Sequence, residues 1–233
     1  MIYQHRLVIA RAGRLVERNT VFERETLSAL EASSSVLIGA WEIWIGGEAG
    51  CGVFQLRQFE SLAAWETHQE ALRRNRAFTG QRNANLFPAL DFVTTSIVRL
   101  ADRSPVLPQT WPTVEETKAR ARGIYEQRTL YFRPDSAEAH HELYFSAVAP
   151  ALEREGGKLI AFFDTLIGPG TTNAGSHRSI ELRRFPDLAS WQRWREAQES
   201  EPSLAQLTKQ KWLAKVDRVE SALLWPLDYS RMR

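Results

Sequence analysis

Polar and apolar residues alternate along Tyr3–Ala10 in a run rich in β formers, which predicts a strand. After Gly13 the period lengthens. Leu15, Phe22, Ala29 and Leu30 share one face of a helix over Arg14–Ala32. Two strands follow, Leu37–Ile45 and Gly52–Gln58, joined by a Gly-rich hairpin. Then come a second helix, Leu62–Arg74, a variable segment and a last strand, Phe92–Leu100. The series recurs. Ile2-Tyr3-Gln4-His5-Arg6 aligns with Ile124-Tyr125-Glu126-Gln127-Arg128 at an offset of 122, and Leu37-Ile38-Gly39-Ala40-Trp41-Glu42 with Leu159-Ile160-Ala161-Phe162-Phe163-Asp164 at the same offset. Past the hairpin the offset is 126, where Leu56-Arg57, Phe59, Leu62 and Trp65 match Leu182-Arg183, Phe185, Leu188 and Trp191. The second copy predicts a helix over about Ser136–Glu155, started by Pro134-Asp135-Ser136 and ended by Gly156-Gly157. Its other elements are strands Leu159–Ile167, Ser179–Arg184 and Val219–Leu224 and a helix Leu188–Glu199, with four extra residues in the loop Pro169–Arg178.

Each copy therefore reads β-α-β-β-α-β, the ferredoxin-like order, in an α+β protein. Two helices cover one face of such a sheet, and the other face needs a second sheet. Two tandem copies supply it, so the expectation is two ferredoxin-like βαββαβ repeats packed sheet to sheet as an intrachain α+β barrel. The repeats span 1–101 and 124–233. Between them lies a linker, 102–123, with Pro105, Pro108 and Pro112 and a short helical stretch. Dimerisation is not needed to bury the sheets; a homodimer through helices or barrel edges stays open.

Composition narrows the partners. Thirty basic and twenty-eight acidic side chains leave a net charge of +2, too balanced for a dedicated nucleic-acid binder. No apolar run reaches the ~18 residues of a membrane span, and Leu7–Ala10 is too short for a signal-peptide core, so the expected compartment is the cytoplasm. One cysteine, Cys51, makes neither an internal disulfide nor a thiolate zinc site, and no metal-ligand or phosphate-loop spacing occurs. Eight Trp and eleven Phe point to a core or pocket walled by large rings.

The Tyr-x-x-Arg opening strand (Tyr3/Arg6, Tyr125/Arg128), the Ile-Gly that closes the second strand, and the run Ser-Leu-Ala-Ala-Trp or Asp-Leu-Ala-Ser-Trp resemble the NIPSNAP family of the dimeric α+β barrel superfamily. The resemblance covers about 1–101 and 124–228. It implies the fold first. The wider superfamily includes cofactor-free monooxygenases, haem-degrading enzymes, cyclases, lyases and dehydratases, while eukaryotic NIPSNAP members act through protein partners. The third strands depart from a common pattern: where a His and a Trp often alternate, this chain has Gln55/Arg57 and Glu181/Arg183.

Strand alternation defines two candidate sites. The apolar sets are expected to face the helices. The polar sets, Arg6, Arg57 and Glu42 with Arg128, Arg183, Asp164, Glu126 and Glu181, are then expected in the sheet-to-sheet interior. The simpler reading of this set is an ion-pair layer, because an unpaired buried charge is very costly. The sharper one is a pocket for an anionic substrate with an arginine fork as clamp. The second site lies between sheet and first helix, walled by Tyr3, Phe22 and Trp41, with His5 as acid–base residue and Asn19 opposite. The resemblance supports this location, since ligand pockets of the superfamily often lie there. The matched positions in the second copy are Gln127 and His141, and His177 sits in the inserted loop. His68 and His140 are read as exposed or edge residues. These features frame a small-molecule enzyme that needs no metal or nucleotide, performing proton transfer or oxygen chemistry on an aromatic or enolisable substrate. A ligand carrier, a haem module ligated by His5 or His141, and a protein-interaction module are the alternatives; no cofactor is required by the pattern.

Overall fold

The computed structural model describes residues 1–33, 35–46, 49–133, 136–168 and 178–233. The chain forms two compact units: residues 1–98, 111–120 and 226–233, and residues 99–110 and 121–225. The first contains β1 (Ile2–Ala10), α1 (15–32), β2 (Val36–Ile45), β3 (Gly52–Phe59), α2 (Leu62–Arg74), α3 (76–89) and β4, which starts at Leu90. A short helix, α4 (Val114–Lys118), belongs to it as well. The second contains β5 (Ile124–Phe132), α5 (137–154), β6 (Lys158–Ile167), β7 (Arg178–Phe185), α6 (Leu188–Ser200), α7 (202–215) and β8, which starts at Val216. Both are ferredoxin-like α+β units with one extra helix before the last strand. The sheet of the first runs β2-β3-β1-β4 and that of the second β6-β7-β5-β8, all antiparallel. Among the described residues no helix is long and apolar enough to cross a membrane.

The repeated motifs have local causes. Ser61 caps α2 by accepting from the Ala64 amide, and Asp187 caps α6 by accepting from the Ser190 amide. Gly46 and Gly168, which follow the matched isoleucines, take φ of 139° and 156°. A side chain there would strain the backbone, so the Ile-Gly pair is a turn requirement. Gly39 has a packing reason: the indole of Trp41 lies where its Cβ would be. Helices α1 and α5 each carry a wider π turn at the same place, Phe22–Thr26 and Tyr144–Val148.

Two expectations are corrected. The C-terminal segment was expected to trail the second repeat, yet residues 226–233 belong to the first unit. The Met232 amide donates to the Ile38 carbonyl at 3.0 Å, and Tyr229 joins the core with Phe22, Leu30 and Leu37. The second correction concerns the sheet faces. The polar set, not the apolar one, faces the helices. Gln4, Arg6 and Arg57 line a cavity with Phe22 and Leu30 of α1, and Glu126, Arg128, Glu181 and Arg183 hold the matching places in the second unit. Tyr3, His5, Phe54, Leu56 and Trp41 share the opposite face. Alternation separates two faces but does not say which one the helices cover.

Candidate functional site

The cavity of the first unit is about 420 Å³ and lies between its sheet and helices α1, α2 and α3. Arg6 comes from β1, Arg57 from β3, Arg18 from α1 and Arg82 from α3. Phe22, Leu72, Phe78 and Leu86 form its apolar wall. Among the described residues no Asp or Glu lines it. A concave, mostly apolar space with a few converging polar groups is the usual form of a small-molecule site.

The guanidiniums are held by neutral groups. Arg57 donates to the Ser35 hydroxyl at 3.1 Å, and Arg18 to the Tyr229 hydroxyl at 3.0 Å and the Asn19 side-chain oxygen at 2.8 Å. The centres of Arg18 and Arg57 lie 4.6 and 5.9 Å from the Phe22 ring centroid, and Arg82 lies 4.7 Å from that of Phe87. Capacity remains: Nε of Arg6, Arg18, Arg57 and Arg82 and Nη2 of Arg57 are buried without a hydrogen-bond partner. Burial first, then the Arg6 and Arg18 charges, push Arg57 down to about 9 against the weaker pull of Glu31 and Tyr229. Burial with the Arg18 and Arg82 charges pushes Arg6 down to about 10. These are cations gathered with little counter-charge, since Glu31, the carboxylate that pulls on Arg57, already pairs with Arg231 at 2.8 Å, a state that an incoming anion relieves.

His68, on α2, also lines the cavity and is 2% exposed. Its Nδ1 lies 2.9 Å from the Ser33 carbonyl oxygen, which can only accept. Nδ1 therefore carries the proton, and Nε2 keeps a lone pair. Burial lowers its pKa, and Arg57 and Arg6 lower it further against the Ser33 hydrogen bond. A neutral imidazole with a fixed tautomer beside guanidiniums is the arrangement of a general base next to an oxyanion site.

The second unit shows the same frame closed. Trp194 stands where the first has His68, Trp212 where it has Leu86, and Tyr144 where it has Phe22. All three rings are buried in one core. What remains near Arg128 is a space of about 170 Å³. Its charges are balanced: Arg128 pairs with Glu126 at 3.3 Å, Arg183 with Glu181, and Arg183 also donates to the Tyr144 hydroxyl at 2.8 Å. The place of Arg18 is taken by His140, which burial, then His141 and Lys215, push down to about 2 and so keep neutral.

The expected site residues divide. Arg6, Arg57 and Phe22 line the cavity, and Asn19 holds Arg18 from beside it. Tyr3, His5 and Trp41 lie on the other face, His5 over Phe54 at 5.1 Å, so His5 and Asn19 do not face each other. Gln127 is on the corresponding far face of the second sheet. His141 sits 3.3 Å from Asp164 and 3.4 Å from the Ser179 hydroxyl, beside a different groove. Neither histidine named for haem reaches the arginine cavity, so that donor set does not fit a haem there. Among the described residues no group of three His, Cys, Asp or Glu is placed to hold a metal. His177 lies outside the described residues. His68 and His140, expected at the surface, are buried. Trp65, His68 and Leu72 fall at i, i+3 and i+7, and the match of His68 to Trp194 already marked an inward position. Arg18 and Arg82 had no comparable signal.

Structures of known proteins share this architecture. An anthrone oxidase-like protein aligns over 97% of this chain and 91% of its own, with a TM-score of 0.62 and 10% identity. A provisionally named monooxygenase of Fusobacterium nucleatum aligns over 97% and 92%, with 0.57 and 12%. Both share the fold of this chain, an α+β arrangement of helices on antiparallel sheets. Residues 125–231 match the model of the NIPSNAP family. An uncharacterised NIPSNAP-like domain protein from Burkholderia xenovorans aligns over 48% of this chain and 94% of its own at 23% identity, with a TM-score of 0.43. No curated protein matches.

Proposed function

We propose that the chain is an enzyme that binds a small organic anion in the first-repeat cavity and moves a proton on it. The observation that carries this reading is the convergence of Arg6, Arg18, Arg57 and Arg82 on a cavity that, among the described residues, no carboxylate lines. The guanidiniums seat the anion and stabilise the oxyanion that forms when His68 Nε2 takes a proton from an enolisable or phenolic position. Phe22, Leu72 and Phe78 exclude water from the substrate body. Oxygen chemistry or isomerisation of the resulting enolate are the reaction types this suits.

Two measurements on the full chain test it. Calorimetric titration with benzoate should give saturable binding, weakened by Arg57→Leu and unaffected by His5→Gln, because His5 is on the far face. Binding that Arg57→Leu leaves intact overturns the site, and so does the absence of binding by benzoate and other aryl anions alike. Solvent deuterium exchange into phenylpyruvate, followed by NMR, should exceed background and fall to it in His68→Gln. Equal exchange in both proteins removes His68 from the chemistry.

A further inference from the structure

The second repeat shows what balances this frame when no ligand is used, and it does so with two carboxylates. On β1 and β3, Arg6 stands opposite Gln55, and Gln4 opposite Arg57. On β5 and β7, Arg128 stands opposite Glu181, and Glu126 opposite Arg183. The two checkerboards have arginine on the same squares. The other two squares hold carboxylates in the second repeat and uncharged amides in the first. Both side-chain atoms of Gln55 are buried without a hydrogen-bond partner, and Gln55 is 0% exposed. The first repeat also adds Arg18 and Arg82, where the second has the neutral His140 in place of Arg18.

Resting on the anion reading of the cavity, we propose that its ligand is a small dicarboxylate with an apolar body, whose two carboxylates supply to Arg6 and Arg57 what Glu126 and Glu181 supply to Arg128 and Arg183. Arg6 and Arg57 are diagonal neighbours on paired strands, roughly 7–8 Å apart at the backbone, and two separated anionic groups match that spacing. The body lies against Phe22, Leu72, Phe78 and Leu86. A monoanion would leave much of the gathered charge unanswered. Rings in place of His68 and Leu86 close the second copy, where the protein's own carboxylates occupy those squares.

Calorimetric titration of the full chain with benzoate, isophthalate and phenyl phosphate tests this. Isophthalate should bind about tenfold or more tightly than benzoate, two charge-assisted contacts replacing one. It should also bind more tightly than phenyl phosphate, whose charges share one group. Equal affinities for isophthalate and benzoate overturn the dicarboxylate and leave the anion site standing, whereas no binding of any of the three overturns the anion site itself. Tighter binding of phenyl phosphate overturns the two separated charges. In the protein, Gln55→Glu should weaken isophthalate by about tenfold or more while raising the melting temperature of the free chain, since it restores one square of the second repeat's pattern. Gln4→Glu, closer to the cavity space, should do the same to affinity. Wild-type isophthalate affinity in both variants overturns the proposal.

Discussion

Glu181→Gln converts one square of the second repeat into its first-repeat counterpart with almost no change of shape. Glu181 is fully buried, accepts a hydrogen bond from Arg183, and lies 4.0 Å from Arg128. Burial alone would raise its pKa. The Arg183 and Arg128 charges, with hydrogen bonds from Tyr144 and Arg183, outweigh burial and hold it below the ordinary 4.5. Removing one partner of such a buried pair costs about 3–5 kcal/mol, because the remaining cation is left uncompensated. For a chain of this length that lowers the melting temperature by roughly 6–20 °C. The pH dependence carries the sign. A carboxyl whose folded-state pKa is depressed stabilises above its unfolded value of 4.5, and the contribution is lost as pH falls through the folded value. Urea unfolding of wild type and Glu181→Gln at pH 7 should show the full gap, and the gap should narrow as the pH falls below 4.5 and passes through the folded-state value. A variant as stable as wild type at pH 7, or a gap that does not change with pH, refutes the ion-pair account of the second repeat.

Arg57→Leu and Arg183→Leu should diverge. The first removes a cation that no carboxylate among the described residues contacts and should leave the free chain as stable or more stable, while the second strands Glu181 and should cost about 3–5 kcal/mol by urea unfolding. Equal losses would show that Arg57 is balanced after all. His68 should be mainly neutral with Nδ1 protonated at pH 6.5, since burial and the nearby guanidiniums lower its pKa from 6.5; imidazole ¹⁵N shifts read this directly, and a mainly protonated ring at pH 6.5 would contradict it. Gly39→Ala should destabilise by about 1–3 kcal/mol through collision with the Trp41 indole, and Trp41→Ala should relieve the effect in the double variant.

Side-chain alternation made the strands readable, and the 3.6 period did the same for the first helix. The faces were not readable, because a strand with Gln4 and Arg6 on one side and Tyr3, His5 and Leu7 on the other looks like a sheet with a dry helix side. The structure reverses this: a ligand-sized cavity on the helix side accommodates charge that a packed core would reject. That reversal moved His5 away from the site and brought His68 into it. That Arg57 and Arg6 point away from solvent was legible from their matched positions, but the side was not: they were expected between the sheets and line the sheet–helix cavity instead. The scarcity of acidic partners was not legible either, because Glu31, Glu42 and Glu60 are near enough in sequence to have supplied one.

What the sequence alone determined is the duplication, the order of elements in each copy and the differences between matched positions: amide for carboxylate at 4/126 and 55/181, histidine for tryptophan at 68/194, arginine for histidine at 18/140. These follow from local propensity and from identity at constant spacing, which need no knowledge of distant contacts. Tertiary structure alone decided that the differences meet in one place. Arg6, Arg18, Arg57, His68 and Arg82 come from five separate elements, and only the packing of α1, α2 and α3 on the sheet brings them around one cavity. Convergence of that kind is a property of long-range geometry, and nothing in the neighbouring residues of each one encodes it.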